Sequence, residues 1–388
     1  MKTRPENERS AAEGRAGSIV AALMLFMCIV AVAFFTWRSS LDPSAGPEDI
    51  LKRFQASATD VIKEAQTQYI YEFDARERPV FIAYKDFIVR CGSSGIWFLD
   101  KTGEVIRSEG LIYNNPIIKT NGSLILVADQ GTGDLAVLDN DSIQWSEKID
   151  GSILNADISE DGYVTLITTA KRDNNEVRVF ESHGVELFRK VIANDFAVSA
   201  NISPSEDRLV LSAISTGAVG TFSVYKFYDM KGGNIAELSF NTIAELFPIF
   251  SYNSNGSIFA VGDKAAVSID QTGTVVWDRK FLRVAGAAPV GNGQFAVAAD
   301  SDEGSILKIY QSDGKELASC ELPGKPEGLN AIRGVVCVNT SDIAYFYNNK
   351  GGIISKYSTG SPIQQVCFFN KHQAVVVTDR QVAVINIS

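Results

Sequence analysis

A short sequence phrase recurs along the chain and constrains its fold more than any other feature. In Ile269–Trp277 the phrase is typical of two β-strands joined by a tight turn, in which Gly273 supplies the positive φ that the turn needs. Related phrases occur at Leu99–Ile106 and Tyr310–Leu317. Self-similarity at a fixed spacing indicates a repeat protein, so the chain is predicted to fold as an array of similar units.

The predicted turn glycines set the length of the repeat, and they are Gly103, Gly184, Gly233, Gly273, Gly314 and Gly352. The last three steps are 40, 41 and 38 residues long. The first step covers two periods, with Asn140 and Asp141 at the turn between them, and the longer second step predicts an insertion within Ser212–Thr221. Two further strands precede each turn. Four strands in about 40 residues are typical of one blade of a β-propeller.

The two ends of the repeat region decide the number of blades. Seven complete hairpins precede a final group of only three strands, which are Ile363–Phe369, Gln373–Thr378 and Gln381–Ile387. Gln68–Phe73 is a strand with no blade of its own, and as the missing fourth strand it would close the ring and remove an exposed edge. We therefore predict an all-β, eight-bladed propeller of four-stranded antiparallel blades over residues 67–388, with seven blades as the alternative.

The N-terminal part of the chain predicts a membrane anchor. Ile19–Trp37 contains 19 residues without a charge, which would span about 28 Å as a helix and so match a bilayer core. The run is longer than the apolar region of a signal peptide, and no cleavage site follows it. We expect an uncleaved transmembrane signal anchor at residues 19–37 after a disordered cytoplasmic tail at residues 1–18. The basic residues before the span slightly favour a cytoplasmic N-terminus and an external propeller.

Residues 38–66 are predicted to connect this anchor to the propeller. The first part has the composition of a linker. From Glu48 to Ala65 apolar residues recur at helical spacing, and Pro47 suits the first turn of a helix. We therefore predict an amphipathic juxtamembrane helix that packs on the base of the propeller, with a dimerising stalk as the alternative.

The overall charge and the cysteine content limit the class of protein. The formal charge is −10, and an acidic protein repels phosphate backbones, so no nucleic-acid partner is expected. Most of the cysteines beyond the anchor lie in apolar β-type runs, which favours buried thiols over disulfides without deciding between them; they are Cys91, Cys320, Cys337 and Cys367. Three tryptophans next to the predicted hairpins are expected to pack between blades, namely Trp97, Trp145 and Trp277.

The hairpin phrase resembles the repeat of the quinoprotein-like propellers. Asp270, Thr272, Gly273 and Trp277 match that repeat in full. The resemblance implies a propeller fold, and for the dehydrogenases of the group it would also imply a quinone cofactor. Those enzymes carry an adjacent pair of cysteines and a calcium-binding carboxylate with the cofactor, and this sequence has no adjacent cysteines.

A second resemblance covers nearly the whole region after the anchor. It rests on several short motifs, which are Phe73-Asp74, Arg78-Pro79, Tyr84-Lys85-Asp86, Gly95-Ile96, Asn115-Pro116 and Val127-Ala128-Asp129. These motifs are similar to those of an uncharacterised family of single-pass bacterial envelope proteins with a propeller ectodomain. The resemblance implies this architecture and location, and it brings no biochemical activity with it.

The residues that usually carry catalysis or metal binding are sparse. His183 and His372 both lie beside predicted turns, so no histidine metal cluster or Ser-His-Asp triad is expected. The acidic stretches Asp129–Asp134 and Asp300–Gly304 contain potential calcium ligands, but Asp and Gly are also ordinary turn residues. We therefore predict no catalytic site, no cofactor and no metal site, and expect the protein not to be an enzyme.

Polar residues on or near the predicted innermost strands are the candidate binding residues. They are Asn155, Asn201, Asn330, Arg333, Gln364 and Gln365. These side chains could line the axial channel or its mouth and bind a ligand there. A water-filled channel is the simpler interpretation, because such groups need hydrogen-bond partners that water can supply.

The sequence thus favours a membrane-tethered extracellular propeller that acts as an interaction or scaffold module. Its expected partners are the lipid bilayer, through Ile19–Trp37, and an envelope protein or cell-wall component at the propeller rim. The alternative is a ligand sensor or quinoprotein-like extracellular enzyme that uses the channel mouth. A deep polar pocket would favour the second function and a flat apolar surface the first.

Overall fold

The computed structural model describes residues 62–170, 174–218, 220–241, 245–253 and 255–387. These residues form eight four-stranded antiparallel sheets and one short 3-10 helix, Ala75–Glu77. The first strands of neighbouring sheets contact each other, so the sheets are arranged as blades around a common axis. The prediction of an eight-bladed propeller is confirmed. The strands of each blade are called a to d from the axis outwards.

The first four blades follow each other in sequence. Blade 1 contains β2 (Val80–Tyr84), β3 (Phe87–Gly92), β4 (Gly95–Leu99) and β5 (Val105–Glu109). Blade 2 contains β6 (Pro116–Thr120), β7 (Ile125–Asp129), β8 (Asp134–Leu138) and β9 (Ile143–Lys148). Blade 3 contains β10 (Ile153–Ile158), β11 (Val164–Thr169), β12 (Asn175–Phe180) and β13 (Glu186–Ile192). Blade 4 contains β14 (Asp195–Ile202), β15 (Arg208–Gly217), β16 (Gly220–Asp229) and β17 (Asn234–Ser239).

The remaining blades complete the ring. Blade 5 contains β18 (Ile249–Tyr252), β19 (Ile258–Val261), β20 (Ala265–Ile269) and β21 (Val275–Lys280). Blade 6 contains β22 (Arg283–Gly291), β23 (Gln294–Ser301), β24 (Gly304–Gln311) and β25 (Glu316–Glu321). Blade 7 contains β26 (Gly328–Ile332), β27 (Val335–Asn339), β28 (Ile343–Asn348) and β29 (Ile353–Ser358). Blade 8 contains β30 (Gln365–Asn370), β31 (Gln373–Val377), β32 (Gln381–Asn386) and the N-terminal β1 (Gln66–Glu72).

Strand β1 closes the ring as the outermost strand of blade 8. It pairs antiparallel with β32, and Ile70 lies opposite Ala383. Tyr71 and Phe73 pack against an apolar cluster that joins blades 8 and 1. The predicted closure by an N-terminal strand is confirmed.

The burial pattern of the strands follows from their place in the blade. The b and c strands are covered on both faces by neighbouring blades, and all five residues of β7 and of β20 are buried. Such strands need apolar side chains on both faces, which explains their continuous hydrophobic runs. The outermost strand β13 instead alternates between partly buried and exposed residues. The hydrophobic core therefore consists of layers between adjacent blades.

The connections between strands lie on two opposite faces of the propeller. Because neighbouring strands are antiparallel, the a–b and c–d turns lie on one face, which we call the a–b face. The b–c turns and the connections between blades lie on the opposite face. The predicted insertion Ser212–Thr221 lies in the b–c hairpin of blade 4, where β15 and β16 are each 10 residues long.

Four of the predicted turn glycines have the expected positive φ, namely Gly103, Gly184, Gly273 and Gly314. In two double-glycine turns the prediction is wrong by one residue, because the positive φ belongs to Gly232 and Gly351 rather than to Gly233 and Gly352. The Gly232 nitrogen donates to the Asp229 carbonyl oxygen, which completes the turn one residue before Gly233.

The described chain begins with an extended segment along blade 7. Glu64 forms a parallel bridge with Lys356 of β29, and the Ala65 nitrogen donates to the Lys356 carbonyl oxygen at 2.7 Å. The predicted helix Glu48–Ala65 is therefore wrong for its last residues, which pair with an outer strand instead of forming helical hydrogen bonds. The rest of that helix and the predicted span Ile19–Trp37 lie outside the described residues. Within the described residues, no helix has the length and apolar character to cross a bilayer.

Two tryptophans link successive blades. The Trp277 Nε1 of blade 5 donates to the Ser312 carbonyl oxygen of blade 6 at 2.9 Å. The Trp145 Nε1 of blade 2 makes the same contact with Ser182 of blade 3, also at 2.9 Å. Packing between blades, as predicted, is confirmed for both indoles. Trp97 differs, because its buried Nε1 has no hydrogen-bond partner among the described residues.

Candidate functional site

The candidate binding residues lie in two separate parts of the ring. Asn155 and Asn201 lie on the inner strands of blades 3 and 4. Asn330 and Gln365 lie on the inner strands of blades 7 and 8. The structure therefore does not place the six residues in a single site.

Asn155 and Asn330 have the same architectural role. The Asn155 Nδ2 donates to the Val198 carbonyl oxygen on the next inner strand at 2.7 Å. The Asn330 Nδ2 makes the equivalent bond to Val366 at 2.8 Å. Both side chains thus join the inner strands of neighbouring blades, and their amide donors are used within the fold.

Arg333 and Gln364 lie outside the inner strands on which they were predicted. Arg333 is exposed in the turn between β26 and β27, where its φ is 42°. Gln364 is the exposed residue before β30, and its backbone nitrogen donates to the Val377 carbonyl oxygen at 2.8 Å. Both residues lie just outside an inner strand, since β26 ends at Ile332 and β30 begins at Gln365.

A cavity of about 560 Å³ lies between the inner strands of blades 2 to 5. The ends of these strands and the a–b turns after them form much of its wall. The polar and charged residues of the wall include Lys119, Asn155, Asp157, Glu160, Ser199, Asn201, Glu206 and Tyr252. Two of the sequence candidates, Asn155 and Asn201, therefore contribute to one concave site.

A partly buried carboxylate, that of Asp157, lies in the polar wall. The Ser199 hydroxyl donates to Asn201 Oδ1 at 3.1 Å, and the Asn201 Nδ2 donates to the Asp157 carboxylate. Burial raises the pKa of Asp157 to about 6, while the positive charge of Lys119 opposes the increase. Sequence reasoning missed Asp157, although a carboxylate between apolar residues of an inner strand was an available signal.

Further polar groups surround this carboxylate. Burial raises the pKa of Glu206, and the neighbouring Asp161 carboxyl raises it further. Burial also raises the pKa of Tyr252, whose hydroxyl has no hydrogen-bond partner among the described residues. The cavity thus combines acidic groups, a hydroxyl and an amide, while Lys119 is an exposed cation in its wall.

The pKa of Asp157 predicts a pH-dependent stability difference. The folded chain binds this proton more tightly than an unfolded chain, in which aspartate has a pKa near 4, so ionisation of Asp157 destabilises the fold as the pH rises through 6. Asp157→Asn should therefore raise the free energy of unfolding by about 1 to 3 kcal/mol at pH 7.5, and by much less at pH 4. Urea denaturation at both pH values measures the difference.

The matched control for this prediction is Asp302→Asn, which neutralises an exposed carboxylate in the b–c turn of blade 6. We expect it to leave the stability nearly unchanged at either pH. An equal effect of Asp157→Asn at pH 4 and pH 7.5 would contradict a carboxylate whose ionisation opposes folding.

The acidic turn stretches serve the fold. Asp129 accepts hydrogen bonds from the Asn115 nitrogen at 2.8 Å and from the Thr132 hydroxyl at 2.9 Å. Asp300 accepts a hydrogen bond from the Arg283 Nε at 2.7 Å. Within the described ranges, no group of three or more His, Cys, Asp or Glu residues is arranged to hold a metal ion. The four cysteines of these ranges are unpaired thiols.

The outer circumference of the propeller has a repeated apolar position. Every d strand contains a bulge near its start, where two of its residues oppose one residue of the c strand. In blades 1, 3, 4, 5 and 6 the extra residue is a large aliphatic side chain between 38% and 56% exposed. We call these residues the aliphatic belt; they are Ile106, Leu187, Ile235, Val276 and Leu317. Blades 2 and 8 carry Gln144 and Gln68 instead.

A model of a protein family matches residues 58–387, which is most of the chain. The chain belongs to DUF5711, a family of unknown function. No curated protein sequence shows significant similarity to it. Membership therefore identifies relatives of this propeller without naming a reaction or a partner.

Solved structures share the fold. BamB from Moraxella catarrhalis is 15% identical, with 83% of this chain and 99% of BamB covered at a TM-score of 0.55. Sqt1 from Saccharomyces cerevisiae is 8% identical, with 83% and 99% covered at 0.63. The C-terminal WD40 domain of Sif2 is 11% identical, with 84% and 99% covered at 0.62. At such low identities these similarities show the propeller fold alone.

Proposed function

We propose that this protein is a non-catalytic interaction module that is tethered to the membrane and holds its propeller outside the cell. The aliphatic belt is the observation that supports this function best. Four successive blades, 3 to 6, present an exposed aliphatic side chain at the same structural position. Single exposed apolar residues are common, whereas exposed apolar residues at one position of successive blades form a row that a partner can cover.

In blade 7 the residue at the belt position is partly buried, and an extended segment of the chain lies on the same outer strand. Its bulge residue, Ile354, is only partly exposed and packs against the cluster that contains Ala65. The extended segment around Glu64 lies along the same strand, β29. An extended chain can therefore lie on an outer strand of this propeller, and a partner segment could use the outer strands of blades 3 to 6 in the same way.

The tether and the location are parts of the proposal that rest on the sequence. Ile19–Trp37 has the length and composition of a membrane span, and the basic residues before it favour an external propeller. The proposed partner is an envelope protein or a cell-wall component. The likeness to BamB and to WD40 domains is consistent with a scaffold role, although fold alone does not establish a function.

The double variant Ile235→Glu/Val276→Glu tests this function. Both side chains are exposed, so the fold should lose little stability, whereas two charges in a desolvated contact should reduce the recovered partner more than about tenfold. The measurement is quantitative mass spectrometry of proteins crosslinked to and purified with the full-length chain from membranes. The full-length chain should itself sediment with the membrane fraction.

The fold supplies a matched control for these substitutions. Gln68→Glu/Gln144→Glu adds the same two charges at the same structural position in blades 8 and 2. This control should recover the partner at the wild-type level. Equal recovery with the belt variant and the control variant would contradict a role for the belt.

A further inference from the structure

The cavity between the inner strands of blades 2 to 5 contains a carboxylate, that of Asp157, with no ion-pair partner within 4 Å among the described residues. Asp157 accepts a hydrogen bond from a neutral amide, Asn201, and Lys119 acts on it through space. A carboxylate that is removed from water without an ion pair reduces the stability of the fold. A neutral residue at position 157 would therefore give a more stable propeller. Groups of this kind are concentrated at binding sites.

The other groups of the wall indicate the charge of a ligand. Glu160 and Glu206 add two carboxylates to that of Asp157, whereas Lys119 is the one basic residue among the lining residues of the described chain. The wall therefore attracts a positively charged molecule that carries N–H donors.

The remaining wall is apolar. Phe250, Ile202 and Ile249 line the same cavity, and they can pack against methylene groups. A volume of about 560 Å³ falls within the range of small-molecule sites. An aliphatic chain between charged ends would thus find both apolar and acidic surfaces within one concave site.

We propose that this cavity binds a small aliphatic polyamine, whose ammonium group donates hydrogen bonds to the Asp157 carboxylate. The methylene groups of the ligand pack on Phe250 and Ile249. Lys119 repels the ligand and so limits its affinity. This site is independent of the aliphatic belt, which lies on the outer strands.

Isothermal titration calorimetry of the full-length chain in detergent tests the site with putrescine and spermidine at pH 7.5. The neutral analogue 1,4-butanediol should give no measurable binding.

Asp157→Asn should weaken binding at least about tenfold, because the ammonium group then lacks its counter-charge. Lys119→Gln should strengthen binding about threefold or more, because it removes a like charge. Gln365→Glu, on the inner strand of blade 8, is the control. It should leave the affinities for putrescine and for spermidine unchanged.

The affinity should also depend on pH. The charge of Lys119 from β6 acts on Asp157, and Glu160 from the turn after β10 and Glu206 from the turn after β14 line the same cavity. Strands β11 and β18 carry no charged residue among those described. Protonation of Asp157, whose pKa is about 6, should weaken binding about tenfold between pH 7.5 and pH 5. Polyamines remain protonated over this range, so the loss would report on the protein.

Several results would overturn the polyamine site. These are the absence of polyamine binding to the wild-type chain, equal binding by folded Asp157→Asn, and equal binding of butanediol. Weaker polyamine binding by Lys119→Gln would overturn it as well, because it would show that Lys119 supports binding instead of repelling the ligand. Asp157→Asn is expected to be the more stable chain, so unfolding cannot explain its loss of binding. Each of these failures leaves the partner recovery by the belt variants unaffected.

Discussion

A chain that starts at Asp74 is expected to lose more than about 4 kcal/mol of its free energy of unfolding relative to one that starts at Ile62, because its propeller ring remains open. The missing strand β1 supplies the fourth strand of blade 8 and covers β32. Its loss exposes the apolar cluster that Tyr71 and Phe73 cover, including Val382 and Val384. Urea denaturation followed by tryptophan fluorescence measures the difference.

A rearranged chain provides the matched control for ring closure. Residues 66–73 can be moved to follow Ser388 through a short turn, which makes blade 8 a continuous four-stranded blade like the other seven. This chain should recover most of the stability that the truncation removes, since β1 can again pair with β32. If the chain that starts at Asp74 and the chain that starts at Ile62 unfold at the same urea concentration, β1 does not close the ring.

Trp277→Ala is expected to lower the free energy of unfolding by about 3 to 5 kcal/mol. The indole is 7% exposed and lies between Phe259 of its own blade and Tyr310 of blade 6, with ring centroids at 5.9 and 5.5 Å. Its Nε1 also holds the Ser312 carbonyl oxygen. The substitution therefore removes both apolar contact and a hydrogen bond between two blades. Trp97→Ala is the control, and its effect should be smaller because its Nε1 has no partner among the described residues.

A second substitution at the same contact makes this test more specific. A Cβ atom added at Gly314 would lie 2.7 Å from the Trp277 ring, at a φ of 87° that other residues rarely adopt. Gly314→Ala should therefore destabilise the wild-type chain by about 2 kcal/mol or more, through steric overlap and backbone strain. In the Trp277→Ala background only the backbone strain remains. The double variant should therefore be destabilised by less than the sum of the two single variants. Strict additivity would contradict direct packing between the indole and the turn.

The period of the repeat was accessible from the sequence because the turn chemistry repeats. Aspartate, threonine and glycine at fixed offsets predicted the hairpin whose turn contains Gly273, and three final strands without a fourth predicted the closure by β1. The same reasoning failed locally at Gly232, where two adjacent glycines fit the pattern equally well. It also failed at Ile62–Ala65, because helical spacing of apolar residues cannot reveal pairing with β29, some 290 residues later in the chain.

The candidate site was less accessible because it depends on contacts between blades. Asn155 and Asn201 were found from their place on inner strands. The strand pattern could not show that the Asn155 amide donates a hydrogen bond to the Val198 carbonyl oxygen. Asp157 became significant only when Asn201 of the next blade was placed against it. The aliphatic belt likewise depends on a bulge, which is a property of the pairing between two strands and has no fixed residue type.

The most direct test of the proposed function is photo-crosslinking from the belt in intact cells. A photoreactive amino acid replaces Val276 in the full-length chain, and in a second variant it replaces Gln144 at the same structural position in blade 2. An interaction through the belt predicts a covalent product with a second polypeptide or a cell-wall fragment from position 276, and little or none from position 144. No product from position 276, or equal products from both positions, would contradict an interaction through the belt.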